Sequence, residues 1–257
     1  MHSFDPTQAD RDELFQLVRQ LEEDLRLRND FLGKLSHEAA NLFLPLHFIL
    51  QMMRQPASTR ATPEHVRSML DEHAQAVGRF ADELRLASRI ARGKLQIDSQ
   101  PLDLRELVDK VVRKLLPVAE KNGQQLFVVL ASRPVAMEGD APLLESAVTH
   151  LIENALRFSD RGGRIEISLT DGTGGAVFRV RDYGAGINAE ALPRVFDLFY
   201  QCDPLSSGWG VGLAIVRHVA EAHGGSAAAA SAGPGQGSEF TIHLPVRDAS
   251  SAGPPSS

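Results

Sequence analysis

Apolar side chains recur at helical spacing through the first hundred residues, where almost no strand pattern is present. Between Leu14 and Leu35 they recur every four and three residues in alternation, which is the repeat of a coiled-coil seam, interrupted once at Arg28. The pattern predicts one long helix that continues to about Met53, with Pro45 as the position where it could bend. A single helix of that length needs a partner to be stable.

A second helical pattern follows a polar loop at residues 55–63. Thr62 before Pro63 has the signature of an N-cap with proline at the first helical position, and the apolar period continues to Arg92 and Gly93, where the helix should stop. Two antiparallel helices with one seam each form a hairpin, and dimerisation into a four-helix bundle would bury both seams. We therefore expect a helical dimerisation domain at residues 1–98.

The following residues alternate short strand patterns with helices and glycine turns, which predicts an α/β sandwich at residues 99–247 and an α+β fold class for the chain. The expected strands are 126–131, 164–170, 176–182 and 239–244, with a first strand within 96–104, and the expected helices are 105–122, 142–157 and 211–222. Residues 171–175 should join two strands as a hairpin. The low-complexity tail at residues 248–257 is expected to be disordered.

Composition and charge narrow the classes of function. The chain of 257 residues is 43% hydrophobic and 23% charged, which is typical of a globular protein. Its net charge of −6 argues against a nucleic-acid partner. The single cysteine, Cys202, excludes an intrachain disulfide and fits a reducing cytosol. Because no segment has the pattern of a signal peptide or of a membrane span, we expect a cytoplasmic protein without membrane insertion.

Two segments of the second domain carry residues suited to a nucleotide. HLIENALRFS, residues 150–159, places Asn154 and Arg157 one turn apart on a helix, an amide oxygen suited to magnesium and a cation suited to phosphate. Asp182 begins DYGAG directly after a strand, and Gly184 and Gly186 let the backbone approach a ligand closely. Each segment alone also fits a plainer explanation, namely a solvent-facing or capping Asn and a tight turn.

A third segment, GWGVGL, opens the last helix and contains Gly208, Gly210 and Gly212. The free N–H groups and the dipole of a helix N-terminus can hold phosphates. The glycine spacing also begins like a dinucleotide fingerprint, but no strand–helix–strand unit surrounds it and no acidic residue follows about 20 positions later. A Rossmann fold is therefore not expected.

In their order and spacing, the three segments resemble the GHKL-type ATP-binding domain of sensor histidine kinases, whose fold class includes DNA gyrase, mismatch-repair ATPases and a heat-shock chaperone. The resemblance covers about residues 101–245, with FDLF at 196–199 similar to a fourth motif, the F box. It implies ATP and magnesium as cofactors. In detail, it implies that Asp182 accepts from the adenine amino group, Asn154 binds magnesium, Arg157 contacts phosphate, the three glycines of GWGVGL line the triphosphate, and residues 200–207 form a short lid.

The segment FLGKLSHE, residues 31–38, resembles the H box of the same family. The resemblance implies that a ring nitrogen of neutral His37 accepts the γ-phosphoryl group, while Glu38 holds or accepts the proton of the other nitrogen. Without the resemblance, a solvated helix residue would be the plainer explanation, because the chain has nine histidines. A zinc-protease motif, H-E-x-x-H, is excluded because its last position is Asn41.

The chain departs from the family pattern at two places. After the histidine it has Ala39, Ala40, Asn41 and Leu42 where relatives usually have Leu-Arg-Thr-Pro, and His150 stands where a second Asn is more common. Relatives with phosphatase activity commonly place Thr or Asn at the position of Asn41, one turn after His37, where an amide could orient a water toward a phosphoaspartate. The alternative is a polar residue on a partly exposed helix face.

The sequence thus predicts a homodimeric histidine kinase that autophosphorylates His37 and passes the phosphoryl group to an aspartate of a response regulator. Input is expected through an upstream sensory partner, an unseen binding site or a further part of the protein, since about 13 residues precede the coiled-coil pattern. One alternative is a degenerate kinase that acts as a scaffold through its helical bundle, although Glu38 and the glycines are retained. Another is a different ATPase of the class, such as an anti-sigma serine kinase or a chaperone, which the N-terminal helices argue against.

Overall fold

The computed structural model describes residues 8–54, 62–172, 174–202 and 210–246. The chain divides into two compact units, of which the first ends at Ala81 and the second begins at Asp82. This division falls inside a helix, ahead of the boundary expected between residues 98 and 99, and the extent of the two domains stays a prediction. The tail expected to be disordered lies outside the described residues.

The two long helices expected from the apolar periods are confirmed as α1 (Gln8–Arg54) and α2 (Pro63–Ala91). The hydroxyl of Thr62 accepts the backbone N–H of His65 at 3.2 Å, which makes it the N-cap of α2. Gly93, with φ of +62°, follows the helix end in the left-handed conformation that terminates many helices. Most of the loop expected between α1 and α2 lies outside the described residues.

Helix α1 carries an exposed apolar seam. Four leucines of this seam are more than half exposed: Leu14, Leu21, Leu25 and Leu32. An exposed apolar stripe of this length is typical of a helix that packs against another helix or chain. The dimeric four-helix bundle itself stays a prediction. In the described parts of the chain, none of the helices combines the length and the hydropathy that a membrane crossing requires.

The second unit begins with a small sheet. Strand β1 (Gln100–Asp103) leads into α3 (Leu104–Lys121) and pairs antiparallel with β3 (Ala136–Gly139). The Asp103 carboxylate caps α3 by accepting the N–H of Arg105 at 2.9 Å.

A five-stranded mixed sheet forms the main layer, in the order β2-β4-β5-β7-β6. Its strands are β2 (Gln125–Val129), β4 (Arg164–Gly172), β5 (Gly175–Asp182), β6 (Ser226–Ala230) and β7 (Glu239–Leu244). Strand β2 runs parallel to β4, and all other neighbours are antiparallel. Strands β3 and β6 were not predicted from the sequence.

Two further helices, α4 (Ala141–Phe158) and α5 (Gly212–Ala222), pack against each other and against the sheet. The core lies between these layers, where alternate residues of the central strands are fully buried, as at Phe178 and its cross-strand partner Ile242. The predicted α+β fold, with helices followed by an α/β sandwich, is confirmed.

Candidate functional site

Asp182, the last residue of β5, is 2% exposed. Its Oδ1 accepts the backbone N–H of Gly184 at 3.0 Å and that of Ser238 at 3.3 Å, and its Oδ2 accepts the Ser238 hydroxyl. A carboxylate has about four lone-pair positions, and these three donors occupy three of them. One acceptor position is therefore left for a donor of a ligand, such as an amino group.

Ser238 belongs to a glycine-rich loop, residues 231–238, which joins β6 to β7 and which sequence reasoning missed. The hydroxyl of Ser231 ties this loop to the segment after Asp182, because it accepts the N–H of Ile187 at 3.0 Å and donates to the carbonyl of Gly237 at 2.7 Å. A Cβ on Gly237 would collide with the carbonyl oxygen of Asp182. The run of glycines directly before a strand, in SAGPGQGSEF, was the signal available in the sequence.

Gly184 and Gly186 are required by the packing of the chain itself. A Cβ on Gly184 would fall on the carbonyl oxygen of Phe158, the last residue of α4, and one on Gly186 would fall on the carbonyl oxygen of Gly233. The N–H of Ala185 donates to the same Phe158 carbonyl at 3.1 Å. These two glycines therefore let the segment after β5 pack directly against α4 and the glycine-rich loop, a requirement that is separate from the ligand approach inferred from the sequence.

The glycine motif of α5, GWGVGL, ends in the first residues of that helix and also contacts other parts of the unit. Gly210 has φ of +74°, and its carbonyl accepts the N–H of Phe199 at 2.7 Å. A Cβ on Gly212 would lie 3.1 Å from Nδ1 of His150 on α4. Among the described residues, no side chain caps the N-terminus of α5 at Val211, and the N–H groups of a helix's first turn suit an anion. Gly208 lies outside the described residues.

The FDLF segment precedes this motif. The ring of Phe196 packs edge-on against that of Phe240 with 6.3 Å between the centroids, which attaches the segment to β7. The lid expected at residues 200–207 lies largely outside the described residues.

Asn154 and Arg157 lie one turn apart near the end of α4, as predicted. The amide oxygen of Asn154, a residue that is 8% exposed, accepts the Nη2 proton of Arg157 at 3.1 Å. The guanidinium of Arg157 also stacks 5.1 Å from the centroid of the Phe158 ring. Since an amide oxygen has two lone pairs, one remains for a cation after the bond to Arg157.

His150 lies in α4 one turn before Asn154 and two turns before Arg157, and its ring is next to Gly212. His150 is half-buried, and its desolvation there, with a smaller contribution from the Arg157 charge, lowers its pKa from 6.5 to about 4. The imidazole is therefore neutral at physiological pH, and it adds no charge beside Arg157.

The contacts bring the three sequence segments together. Phe158 joins α4 to the segment that follows Asp182, and His150 joins α4 to the glycine motif of α5. The buried carboxylate, the amide of Asn154 and the N-terminus of α5 thus belong to one connected part of the second unit.

His37 and Glu38 lie within α1, and their side chains are outside the described part of the structure. Asn41, on the next turn of the same helix, is exposed. The position of the predicted phosphoacceptor on a long helix is as expected, and the roles of these three residues stay predictions.

Comparison with known proteins defines the class of the second unit. Residues 139–248 match the family of histidine kinase-, DNA gyrase B- and HSP90-like ATPases. This range contains Asp182, Asn154 and the glycine motif of α5, and the unit is therefore an ATP-binding domain of this class.

Similarity to individual relatives narrows the class of protein further. It is 30% identical over 233 residues to the sensor protein ChvG of Agrobacterium fabrum, covering 85% of this chain and 39% of ChvG. It is 32% identical over 225 residues to the sensor-like histidine kinase SenX3 of Mycolicibacterium smegmatis, covering 85% of this chain and 57% of SenX3. The structure of full-length ShkA in complex with AMPPNP matches with a TM-score of 0.61 and 25% identity over 84% of this chain and 46% of ShkA. The chain is the catalytic core of a sensor histidine kinase, and it spans less than two thirds of the length of these relatives.

Proposed function

We propose that the second unit binds ATP and that the chain uses it to phosphorylate His37. The observation that carries the proposal is the buried Asp182 carboxylate, which is held by three donors and has an acceptor position left over. An adenine amino group is a donor that suits this position. The similar structure of ShkA is a complex with the ATP analogue AMPPNP, which supports a nucleotide as the ligand.

The phosphates of the nucleotide would lie between α4 and α5. The N–H groups at the start of α5, which no side chain of the described residues caps, suit an anion, and Arg157 supplies a positive charge nearby. The residues fit a magnesium ion, because the oxygen of Asn154 has a free lone pair and magnesium prefers oxygen ligands. When bound, the ion would neutralise phosphate charge.

His37 would then act as the nucleophile. A ring nitrogen of the neutral imidazole forms a bond to the γ-phosphorus, the bond from that phosphorus to the bridging oxygen breaks, and ADP leaves. Glu38 would take up or hold the proton of the other ring nitrogen. A long helix that precedes an ATP-binding domain in the chain, together with the similarity to sensor histidine kinases, supports this role.

The phosphoryl group would pass from His37 to an aspartate of a response regulator, within a two-component system and in a homodimer. Asn41 would contribute to a phosphatase activity, in which it orients a water for attack on the phosphoaspartate of the regulator. The exposed seam of α1 supports the homodimer. We further propose that this catalytic core acts in the cytoplasm and receives its input from a sensory partner or segment.

Incubation of the full chain with γ-labelled ATP and magnesium tests the proposal. The expected result is labelled protein whose label is lost in acid and retained in base, as for a phosphohistidine. Nucleotide binding without label would instead favour the degenerate kinase that acts as a scaffold. A label that survives acid would indicate a serine or threonine kinase of the same fold class.

A further inference from the structure

His223, directly after the last residue of α5, is 7% exposed and is hydrogen-bonded at both ring nitrogens. Nδ1 lies 2.7 Å from the carbonyl oxygen of Val219, and Nε2 lies 2.9 Å from the backbone nitrogen of Asp140. A backbone N–H can only donate and a carbonyl oxygen can only accept, so Nδ1 must carry the proton and Nε2 the lone pair. The geometry therefore selects one neutral tautomer of the ring.

The residue bonded to His223 is Asp140, the N-cap of α4. The Asp140 carboxylate caps α4 by accepting the N–H of Leu143 at 3.1 Å, and its other oxygen accepts the N–H of Asp98 at 3.0 Å. A Cβ on Gly139 would lie 3.0 Å from Cδ2 and 3.2 Å from Nε2 of His223. The absence of a side chain at Gly139 thus lets the ring reach the backbone of α4. Through its bond to the N–H of Asp98, Asp140 also holds the segment that precedes β1 against the start of α4.

A reciprocal contact occurs at the other end of the helix pair, where His150 of α4 lies against Gly212 of α5. The sequence places His150 ten residues after Asp140, and it places His223 eleven residues after Gly212. At about 1.5 Å per helical residue, the two contacts are separated by roughly 15 Å along α4 and roughly 16 Å along α5. Each helix therefore contributes one histidine that meets the backbone of the other helix, at matched spacing.

We propose that His223 is a positioning residue for the nucleotide site. In its Nδ1–H tautomer it fixes the end of α5 to the start of α4, and together with the His150–Gly212 contact it sets the register of these two helices. Asn154 lies on α4 and the phosphate-binding turn starts α5, so a shift in register would move one relative to the other. This inference rests on the proposed binding of ATP.

The tautomer is tested without any nucleotide. Long-range proton–nitrogen correlation spectra of the full chain, assigned by comparison with His223→Phe, report which ring nitrogen carries the proton. We expect the Nδ1–H form, which is the less common form of a free histidine. An Nε2–H form would overturn the proposal, because the N–H of Asp140 could then not donate to the ring.

The positioning role is tested by titrating the full chain with a nonhydrolysable ATP analogue and magnesium, at a temperature where every variant is shown to be folded. We expect His223→Phe to bind about tenfold more weakly, because binding must then restore the helix register that the bond between His223 and the N–H of Asp140 holds in the wild type. His223→Gln, whose amide oxygen can accept from the same N–H, should recover part of the affinity.

His218→Phe is the matched control. The Nδ1 of His218 also bonds a carbonyl four residues earlier in α5, that of Ala214 at 2.9 Å, so this change removes the same local bond. We expect its affinity to stay within about twofold of the wild type, because the His218–Ala214 bond lies within α5. Equal affinities for His223→Phe and the wild type, even with a lowered melting temperature, would overturn the proposal. A wild-type chain that binds no nucleotide would instead overturn the proposed function and leave the tautomer test standing.

Discussion

Asp182→Asn should weaken nucleotide binding without unfolding the second unit. The remaining carbonyl oxygen can still accept the N–H of Gly184 and that of Ser238, which lie 3.0 and 3.3 Å from Oδ1 in the native chain. The Ser238 hydroxyl, which donates to Oδ2 in the native chain, can rotate and accept from the new NH2 group. We therefore expect the free energy of unfolding to fall by less than about 1 kcal/mol.

The larger effect should be on the ligand. The carboxylate offers an acceptor to the adenine amino group, whereas the amide uses its oxygen for backbone donors and turns its own N–H groups toward the ligand. A mispaired buried donor costs about 1–3 kcal/mol. The dissociation constant should accordingly rise by about 5- to 150-fold. Asp182→Ala, in contrast, would leave two backbone N–H groups without an acceptor and should cost about 2–6 kcal/mol of stability.

Calorimetric titration with a nonhydrolysable ATP analogue and magnesium, paired with thermal unfolding of the same samples, separates the two effects. Asp171→Asn is the control, since it makes the same chemical change at an exposed carboxylate of β4 and should leave the affinity within about twofold. If the wild type binds and Asp182→Asn binds equally well, the assignment of Asp182 to adenine recognition is refuted.

Four further predictions concern α1 and the imidazole of His150 in α4. His37→Gln should abolish phosphorylation and leave nucleotide binding intact, because the change lies outside the ATP-binding domain; a label at the wild-type level would contradict the role of His37. Replacing Leu21 and Leu25 with Lys should shift a dimer toward monomer in sedimentation at micromolar concentration, and a monomeric wild type would argue against the bundle. Asn41→Ala should slow dephosphorylation of the regulator while autophosphorylation stays within a few fold; an unchanged rate would remove Asn41 from that reaction. The pKa of His150 is about 4 in the folded chain and 6.5 when unperturbed, so the unfolded state binds more protons and stability should fall as pH decreases from about 6.5 to 4, by up to about 3 kcal/mol. His150→Gln should flatten the pH dependence of the unfolding free energy in that range.

Local signals were sufficient for the helices. The cap at Thr62 and the left-handed Gly93 lie where the sequence placed the helix boundaries, and the left-handed Gly123 directly follows the helix expected at 105–122. Capping and positive φ depend on only a few neighbouring residues. Strand β6, with the sequence SAAAA, has no such signal. Alanine is a weak strand former, and β6 forms because Ala227 and Ala229 pair with Ile242 and Phe240 of β7.

The candidate site shows the same division between residues with a local signal and residues that depend on distant partners. Asp182, Asn154 and the glycine motifs stand out because each carries its chemistry in a short segment. The contributions of Ser238 and His223 depend on partners 56 and 83 positions away, Asp182 and Asp140. No local pattern reveals contacts of that separation, and they became visible only with the fold.

Mapping the phosphorylated residue tests the central claim most directly. The full chain is incubated with ATP and magnesium at neutral pH, digested under basic conditions, and its peptides are sequenced by mass spectrometry. His47→Gln is the control, because it changes another histidine of α1, one whose side chain is exposed. We expect one phosphoryl group, located on His37, retained in His47→Gln and strongly reduced in Asp182→Asn. A phosphoryl group on any other residue, or an unmodified His37 in a chain that binds ATP, would contradict the proposed kinase mechanism.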